Sequence, residues 1–327
     1  MNVIINRWML ILLCVFVPYV QAEWLHRTEA IMGTEVVVDL WAESVSDGEQ
    51  AIAAVMADMR RIESLMSPYI ESSELFQVNK LAAENPVTVS QELFTLIEKS
   101  LWYSKISDGA FDITFASAGK LYDYRAGERP DDNTLEQAAA LIDYKDLLLD
   151  KKSRTIAFKH KGMRIDLGGI AKGHAVDSSI NVLRQRGIQA AAVSAGGDSR
   201  MLGSRGDRPW VIGIKHPRAE GKQAVKIPLA DTALSTSGDY ERFYIEDGVR
   251  YHHILDPRSG KSASSVQSVS ILSPLSVDSD ALSTTVFVMG IEKGLALVNR
   301  LPGIDAIIID GDGKLHYSDD LLLSDKE

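Results

Sequence analysis

Asp280 and Thr284 lie four residues apart in V-D-S-D-A-L-S-T-T, inside a run with helical periodicity over 276–289. At that spacing both oxygens share one helix face, one turn apart. A carboxylate, a hydroxyl and backbone carbonyls make a hard, all-oxygen site suited to Mg²⁺. The spacing serves a second purpose equally well. Two aspartates expected in the first turn would stabilise the helix dipole and cap free N–H groups.

A second chemical stretch, R-I-D-L-G-G-I-A-K-G-H-A-V-D, occupies 164–177. Met163, Ile165 and Leu167 read as a strand end, Gly168-Gly169 as a turn, and Ala171 onward as a helix. Its apolar face would be Ala175, Val176, Ile180 and Leu183, with Gly187 as the stop. Glycines let backbone approach a phosphate, first-turn N–H groups point at it, and Lys172 adds a positive charge. The stretch is neither G-x-x-x-x-G-K-[ST] nor G-x-G-x-x-G, so an ordinary tight turn fits the spacing too.

His252 and His253 end a strand reading and alternate across it, so at most one faces a given pocket. Either is a candidate general base with a pKa near neutrality, or a plain core or surface residue. No H-E-x-x-H, G-x-S-x-G or cysteine nucleophile supports a zincin or hydrolase reading. Asp310-Gly311-Asp312-Gly313 lacks calcium-loop spacing and reads as a hairpin turn. Asp108-Gly109-Ala110-Phe111-Asp112 reads either as a helix-exit turn or as the lining of a flat ligand.

The elements that must position these groups come from a chain of 327 residues, 45% hydrophobic and 24% charged. That is an ordinary globular composition for one large domain. Residues 1–22 stand apart: Arg7, an apolar run of about 13 residues, then Val20-Gln21-Ala22. This is the pattern of a cleaved secretory signal peptide, too short for a membrane span of ~20 residues. Cys14 lies inside it, so residues 23–327 contain no cysteine and no disulfide is expected. Losing Arg7 takes the net charge from −10 to −11, which argues against a nucleic-acid partner. Any phosphate must be handled locally, by a metal or a few basic groups.

In chain order the pattern predicts a strand at 34–42, a helix carrying Ile52 to Met66, and a polar loop around Ser72-Ser73. A helix follows over 91–106 with Ser90 as N-cap, then a short helix over 134–142. A hairpin is expected over 147–149 and 155–158, and strands at 190–193 and 210–215. The small, hydroxyl-rich run 233–243 reads as a ligand-binding loop. A strand at 266–272, a short helix at 292–300 and strands at 306–309 and 315–317 close the chain. Helices and strands mix without strict alternation. The fold class is α+β, with mostly antiparallel sheets and packed helices in one large domain of two intimate subdomains.

Eight blocks in order carry a family resemblance: M-G-T (32–34), Ser-Pro-Tyr69 before S-S-E-L, G-A-F-D (109–112), D-L-G-G-I-A-K-G (166–173), A-G-G-D (195–198), S-T-S-G-D-Y-E-R-F (235–243), H-I-L-D-P-R-S-G (253–260) and D-A-L-S-T (280–284). Together they resemble the ApbE-type FAD:protein FMN transferase family over about residues 28–318. The resemblance implies an exported, Mg²⁺-dependent flavin transferase domain over 23–327. Such enzymes join FMN from FAD through a phosphoester to a threonine of a target flavoprotein and release AMP. It places Met32, Tyr69, Ala110, Phe111, Asp112, Asp166 and Lys172 around FAD, with Ile254 and His253 at the flavin-side chemistry. Gly169, by its carbonyl, Asp280 and Thr284 become the metal ligands. His253 is the first candidate base, with Asp278 or Asp198 second. The implied setting is periplasmic, with peripheral association at the inner membrane and an acceptor such as a membrane redox-complex subunit with an exposed threonine. Ser194, Ser259 and His174 depart from the family's usual Asn, Thr and Tyr. Two alternatives stay open from the residues alone: an FAD pyrophosphatase releasing FMN and AMP, and a non-catalytic flavin-binding protein.

Overall fold

The structure, a computed structural model, describes residues 22–324; the leader expected over 1–22 lies outside that span but for Ala22. Strands β1 (Glu23–Ile31) and β2 (Thr34–Ala42) form a hairpin around Met32-Gly33. Both turn residues have positive φ, 56° and 68°, as a two-residue hairpin turn between twisted strands requires. Helix α1 (Val45–Met66) is capped by Ser44, whose hydroxyl accepts from Asp47 N–H, and buries the Ile52-to-Met66 stripe. The polar loop expected around Ser72-Ser73 spans 67–73, and helix α2 (Glu74–Leu81), absent from the sequence expectation, follows it. Ser73, read there as loop polarity, is the N-cap, its hydroxyl accepting from Phe76 N–H at 3.0 Å.

A short β3 (Val87–Thr88) leads into α3 (Gln91–Ile106), capped by Ser90 as expected. Next come α4 (Ala116–Gly119), α5 (Asp132–Ala139) and the hairpin of β4 (Leu147–Asp150) and β5 (Thr155–Phe158). Met163 to Leu167 is not a strand. Asn79 binds both the N–H and the C=O of Ile165, at 2.8 and 2.9 Å, taking the place of a strand neighbour. Helix α6 (Ala171–Gln185) starts where the glycine turn ends, and Gly187 past its end has φ 79°.

Strands β6 (Ala191–Ala195) and β7 (Asp198–Leu202) pair across Gly196-Gly197. The hairpin of β8 (Trp210–Lys215) and β9 (Gln223–Leu229) follows, then β10 (Ala233–Gly238). The sequence reads this last stretch as a loop, yet it is a central strand between β7 and β15 (Val266–Ser273). Its hydroxyls are satisfied sideways: Ser235 with Ser279 at 2.8 Å, Thr236 with Ser270 at 2.7 Å, Ser237 with Ser283 at 2.9 Å. That removes the penalty for burying a polar strand. Between them lie the small hairpins β11 (Phe243–Glu246) with β12 (Val249–His252) and β13 (Leu255–Asp256) with β14 (Lys261–Ser262).

Helices α7 (Ser276–Met289) and α8 (Ile291–Val298), strands β16 (Asp305–Asp310) and β17 (Leu315–Tyr317), and α9 (Asp319–Ser324) complete the chain. Only Asp278 lies in the first turn of α7; Asp280 starts the next. The large sheet runs β1-β2-β6-β7-β10-β15-β16-β17, antiparallel throughout. Helices α1, α6 and α7 cover one face, over a continuous core from Leu25 to Ile308, so the α+β expectation holds. A smaller core around Met201, Trp210 and Leu272 lies on the other face. No helix among the described residues is long and apolar enough to cross a membrane.

Candidate active site

Helices α6 and α7 meet at Gly173. A Cβ there would sit 2.2 Å from Ser276 O and 2.8 Å from Asp280 Cβ, so only glycine permits the approach. Two carboxylates lock the pair. Asp280 Oδ2 accepts the Gly173 N–H at 2.8 Å. Asp177, one turn further along α6, accepts Ser276 N–H and Val277 N–H, each at 2.9 Å, and pairs with Arg200 at 2.6 Å. Helix α7 has no side-chain cap of its own, so Asp177 caps it from the neighbouring helix. Nothing in the sequence marks this pairing.

Lys172 stands at the centre. Its Nζ is 2.6 Å from Asp198 Oδ2 and 3.6 Å from Asp280 Oδ1, and donates to Gly168 O at 3.3 Å. Burial opposes the ammonium charge, but Asp198 and Asp280 more than offset it, so the pKa is raised. Asp280 is also raised, by burial first and then by Asp198, against the pull of Lys172 and the Gly173 N–H. Two nearly buried carboxylates thus share one ammonium. The cluster carries excess negative charge.

Thr284 follows one turn after Asp280, as expected, with Oγ1 3.3 Å from Ser237 Oγ. Gly169 packs beside it: a Cβ there would be 3.3 Å from Thr284 Oγ1 and 3.4 Å from Phe111. The fold therefore brings Gly169, Asp280 and Thr284 together. No group of three His, Cys, Asp or Glu that could hold a metal occurs among the described residues, so a cation here would need hydroxyl and backbone oxygens beside the Asp280 carboxylate. That donor set, beside surplus carboxylate charge, fits a hard divalent ion such as Mg²⁺.

The remaining candidates divide by what they touch. Tyr69 is 85% exposed, a ring open for stacking. Met32 donates its backbone N–H to Glu63 at 2.8 Å. Ala110 and Phe111 form the turn after α3, where Phe111 N–H donates to Ser107 Oγ at 3.0 Å and the buried ring packs on Tyr103. Asp112 spends both oxygens on that turn, accepting from Thr114 N–H and hydroxyl (2.8 and 2.6 Å) and from Tyr144 N–H (2.8 Å). It holds the loop's shape. Asp166 accepts Gly168 N–H at 2.6 Å, and burial raises its pKa despite the charges of Arg242 and Lys172.

The two histidines have separate fates. His252 is 3% exposed; Nε2 donates to Ala263 O at 2.6 Å and Nδ1 accepts Ile254 N–H at 3.3 Å, alongside buried Ile254. It is a structural residue. His253 has a buried Nδ1 with no partner, and burial, then Arg242, lowers its pKa to about 3. Both pKa values are lowered from the ordinary histidine value, chiefly by burial. Among the substitute bases, Asp278 is engaged by the Tyr103 hydroxyl at 2.7 Å and Lys99 at 2.5 Å, and Asp198 by Lys172.

Arg242, given no role in the sequence reading, bears on His253, Asp166 and Lys172, and no carboxylate lies within ion-pair distance of it among the described residues. The departures are peripheral. His174 pairs with Glu92 at 2.8 Å, Ser194 is a strand residue of β6, and Ser259 sits in the turn after Asp256. Asp310 accepts Asp312 N–H and Lys314 N–H, confirming a hairpin turn rather than an ion loop.

A glycine turn into a helix start, a half-buried lysine and an oxygen-rich pair could together hold a phosphate-bearing ligand beside a hard cation. The ApbE family model matches residues 32–308. The FAD:protein FMN transferase of Treponema pallidum (strain Nichols) is 34% identical over 311 residues, covering 89% of this chain and 86% of that protein. That of Klebsiella pneumoniae (strain 342) is 32% identical over 283 residues, covering 85% and 87%. The ApbE protein of Thermotoga maritima superposes with a TM-score of 0.86 at 34% identity, covering 93% of this chain and 100% of that one. The flavin transferase ApbE of Vibrio cholerae gives 0.83 at 29% identity, covering 93% and 99%. The chain belongs to the ApbE family.

Proposed function

We propose that this protein transfers FMN from FAD to a threonine hydroxyl of an acceptor flavoprotein, forming a phosphoester and releasing AMP. The names of its relatives support flavin transfer. The observation that carries the chemistry is the convergence of Lys172, Asp198, Asp280, Thr284 and Gly169 at the start of α6.

Asp280, Thr284 and the backbone of Gly169 would hold Mg²⁺, which when bound offsets negative charge on the bridging phosphates. Lys172 and Arg242 orient the pyrophosphate and oppose its charge. The threonine oxygen bonds to the FMN-side phosphorus, and the bond from that phosphorus to the AMP oxygen breaks. AMP leaves with the electron pair. His253 is the candidate acceptor of the threonine proton: its ring is neutral, and the anionic phosphates of bound FAD would raise the pKa that burial and Arg242 depress. Tyr69 offers its open face to a planar ring.

We infer export from residues 1–22, which places the work in the periplasm, with acceptors such as membrane redox-complex subunits and peripheral contact with the inner membrane. The deciding experiment incubates residues 23–327 with FAD, Mg²⁺ and a candidate acceptor and measures intact acceptor mass. The expected gain is one FMN, absent from an acceptor whose threonine is replaced by alanine. FMN and AMP released beside an unmodified acceptor would replace transfer by hydrolysis.

A further inference from the structure

The large sheet has two faces, and the chemistry above uses one. Alternation along β7 sends Asp198 and Arg200 toward α6 and α7, and Ser199 and Met201 to the far side. There, a cavity of about 440 Å³ lies between the sheet and β8, partly walled by Val37, Met201 and Ile212. Arg205 and Arg208 also line it, joined across a tight turn by Arg205 N–H to Arg208 O at 2.9 Å.

Arg205 lies over two indoles, 5.1 Å from Trp24 and 5.3 Å from Trp210. Stacking fixes a guanidinium plane while leaving its edge N–H groups for an acceptor. Neither arginine has a carboxylate within ion-pair distance among the described residues. Asp39 lines the same cavity, but it is held by His26 at 2.9 Å. Trp210 is only 3% exposed, and its indole N–H is buried with no acceptor. Buried donors are rarely left so, and a bound acceptor removes the penalty. Several described arginines lack a carboxylate partner, but Arg205 is set apart by the two indoles that hold it in the cavity wall.

We propose that this cavity is a second binding site, for a small amphipathic anion. A carboxylate or sulfonate meets Arg205, Arg208 and the Trp210 N–H, and an apolar body lies against Val37, Met201 and Ile212. A bare inorganic anion would leave those walls unused, and Asp39 opposes a polyanion. The site does not depend on the flavin reading.

Naphthalenesulfonate, titrated by calorimetry into residues 23–327 with FAD present, tests it. One saturable site is expected. Replacing Arg205 and Arg208 together by alanine should weaken it roughly 10–100-fold, the worth of a charge-assisted hydrogen bond or two. Ile212→Trp, which fills the cavity and keeps both arginines, should abolish it, and inorganic sulfate at equal concentration should not compete. Circular dichroism melts identify folded variants, and Val37→Phe replaces Ile212→Trp if the latter unfolds. No binding by the wild type, wild-type affinity in either folded class of variant, or equal competition by sulfate overturns the proposal.

Discussion

Lys172 Nζ lies 2.6 Å from Asp198 and 3.6 Å from Asp280, so one ammonium on α6 serves carboxylates from β7 and α7. Removing it leaves two nearly buried anions facing each other. Breaking a buried pair by deleting one partner costs about 3–5 kcal/mol. Lys172→Met should therefore lose about that much stability in urea denaturation without divalent ions. Adding Asp198→Asn should return a large part of it. Simple addition of the two single losses would show that the groups are not coupled.

Asp280 has two tasks that substitution can separate. Asparagine keeps an oxygen for the Gly173 N–H but removes the charge. Asp280→Asn should stay folded yet lose FMN transfer by about 10²–10³-fold, as when one charge-stabilising group is removed. Asp280→Ala also orphans a buried donor and should be less stable than the Asn variant by about 1–3 kcal/mol. Transfer by Asp280→Asn at the wild-type rate would remove Asp280 from the site chemistry. Equal stability of the two variants would mean the Gly173 bond contributes nothing.

His253 has its pKa depressed from the usual 6.5 to about 3. As pH falls, the unfolded chain takes up the proton first, so the folded state loses ground. The contribution of the neutral ring is whole above pH 6.5 and declines between there and about 3. His253→Gln lacks that linkage, and its urea midpoint should fall less than the wild type's between pH 7 and pH 4. In kinetics, kcat/KM should show no His253 limb near neutral pH, because it reports the free protein. His253→Ala should bind FAD but transfer FMN about 10²–10⁴-fold more slowly. A neutral limb that vanishes in that variant would restore a near-neutral pKa.

The legible parts of this molecule were local. Ser90 before an apolar stripe fixed α3, and the four-residue spacing of Asp280 and Thr284 put both on one face of α7. What escaped depends on partners far along the chain. The hydroxyls of β10 look like loop chemistry until Ser279, Ser270 and Ser283 are opposite them. Asp177 is one more helical aspartate until Ser276 and Val277 present their free N–H groups. His253 owes its low pKa to burial and to Arg242, eleven residues upstream, and neither is visible in H-H-I-L-D.

Gly173 gives the sharpest test of how the site is assembled. On helix propensity alone, Gly173→Ala should stabilise α6 by about 1 kcal/mol. Packing opposes this, since the added Cβ would overlap Ser276 O at 2.2 Å, a backbone atom that cannot rotate away. Forcing a methyl into a packed contact costs typically 1–3 kcal/mol, and more against backbone. The overlap should win, with a net loss of about 2 kcal/mol or more and weakened transfer, because α7 carries Asp280 and Thr284 away from Lys172. Gly311→Ala, with nothing within 4 Å of the new Cβ, is the control and should change stability by less than about 1 kcal/mol. A Gly173→Ala protein as stable as its parent would mean that α6 and α7 can separate freely, and that the close approach does not set the site.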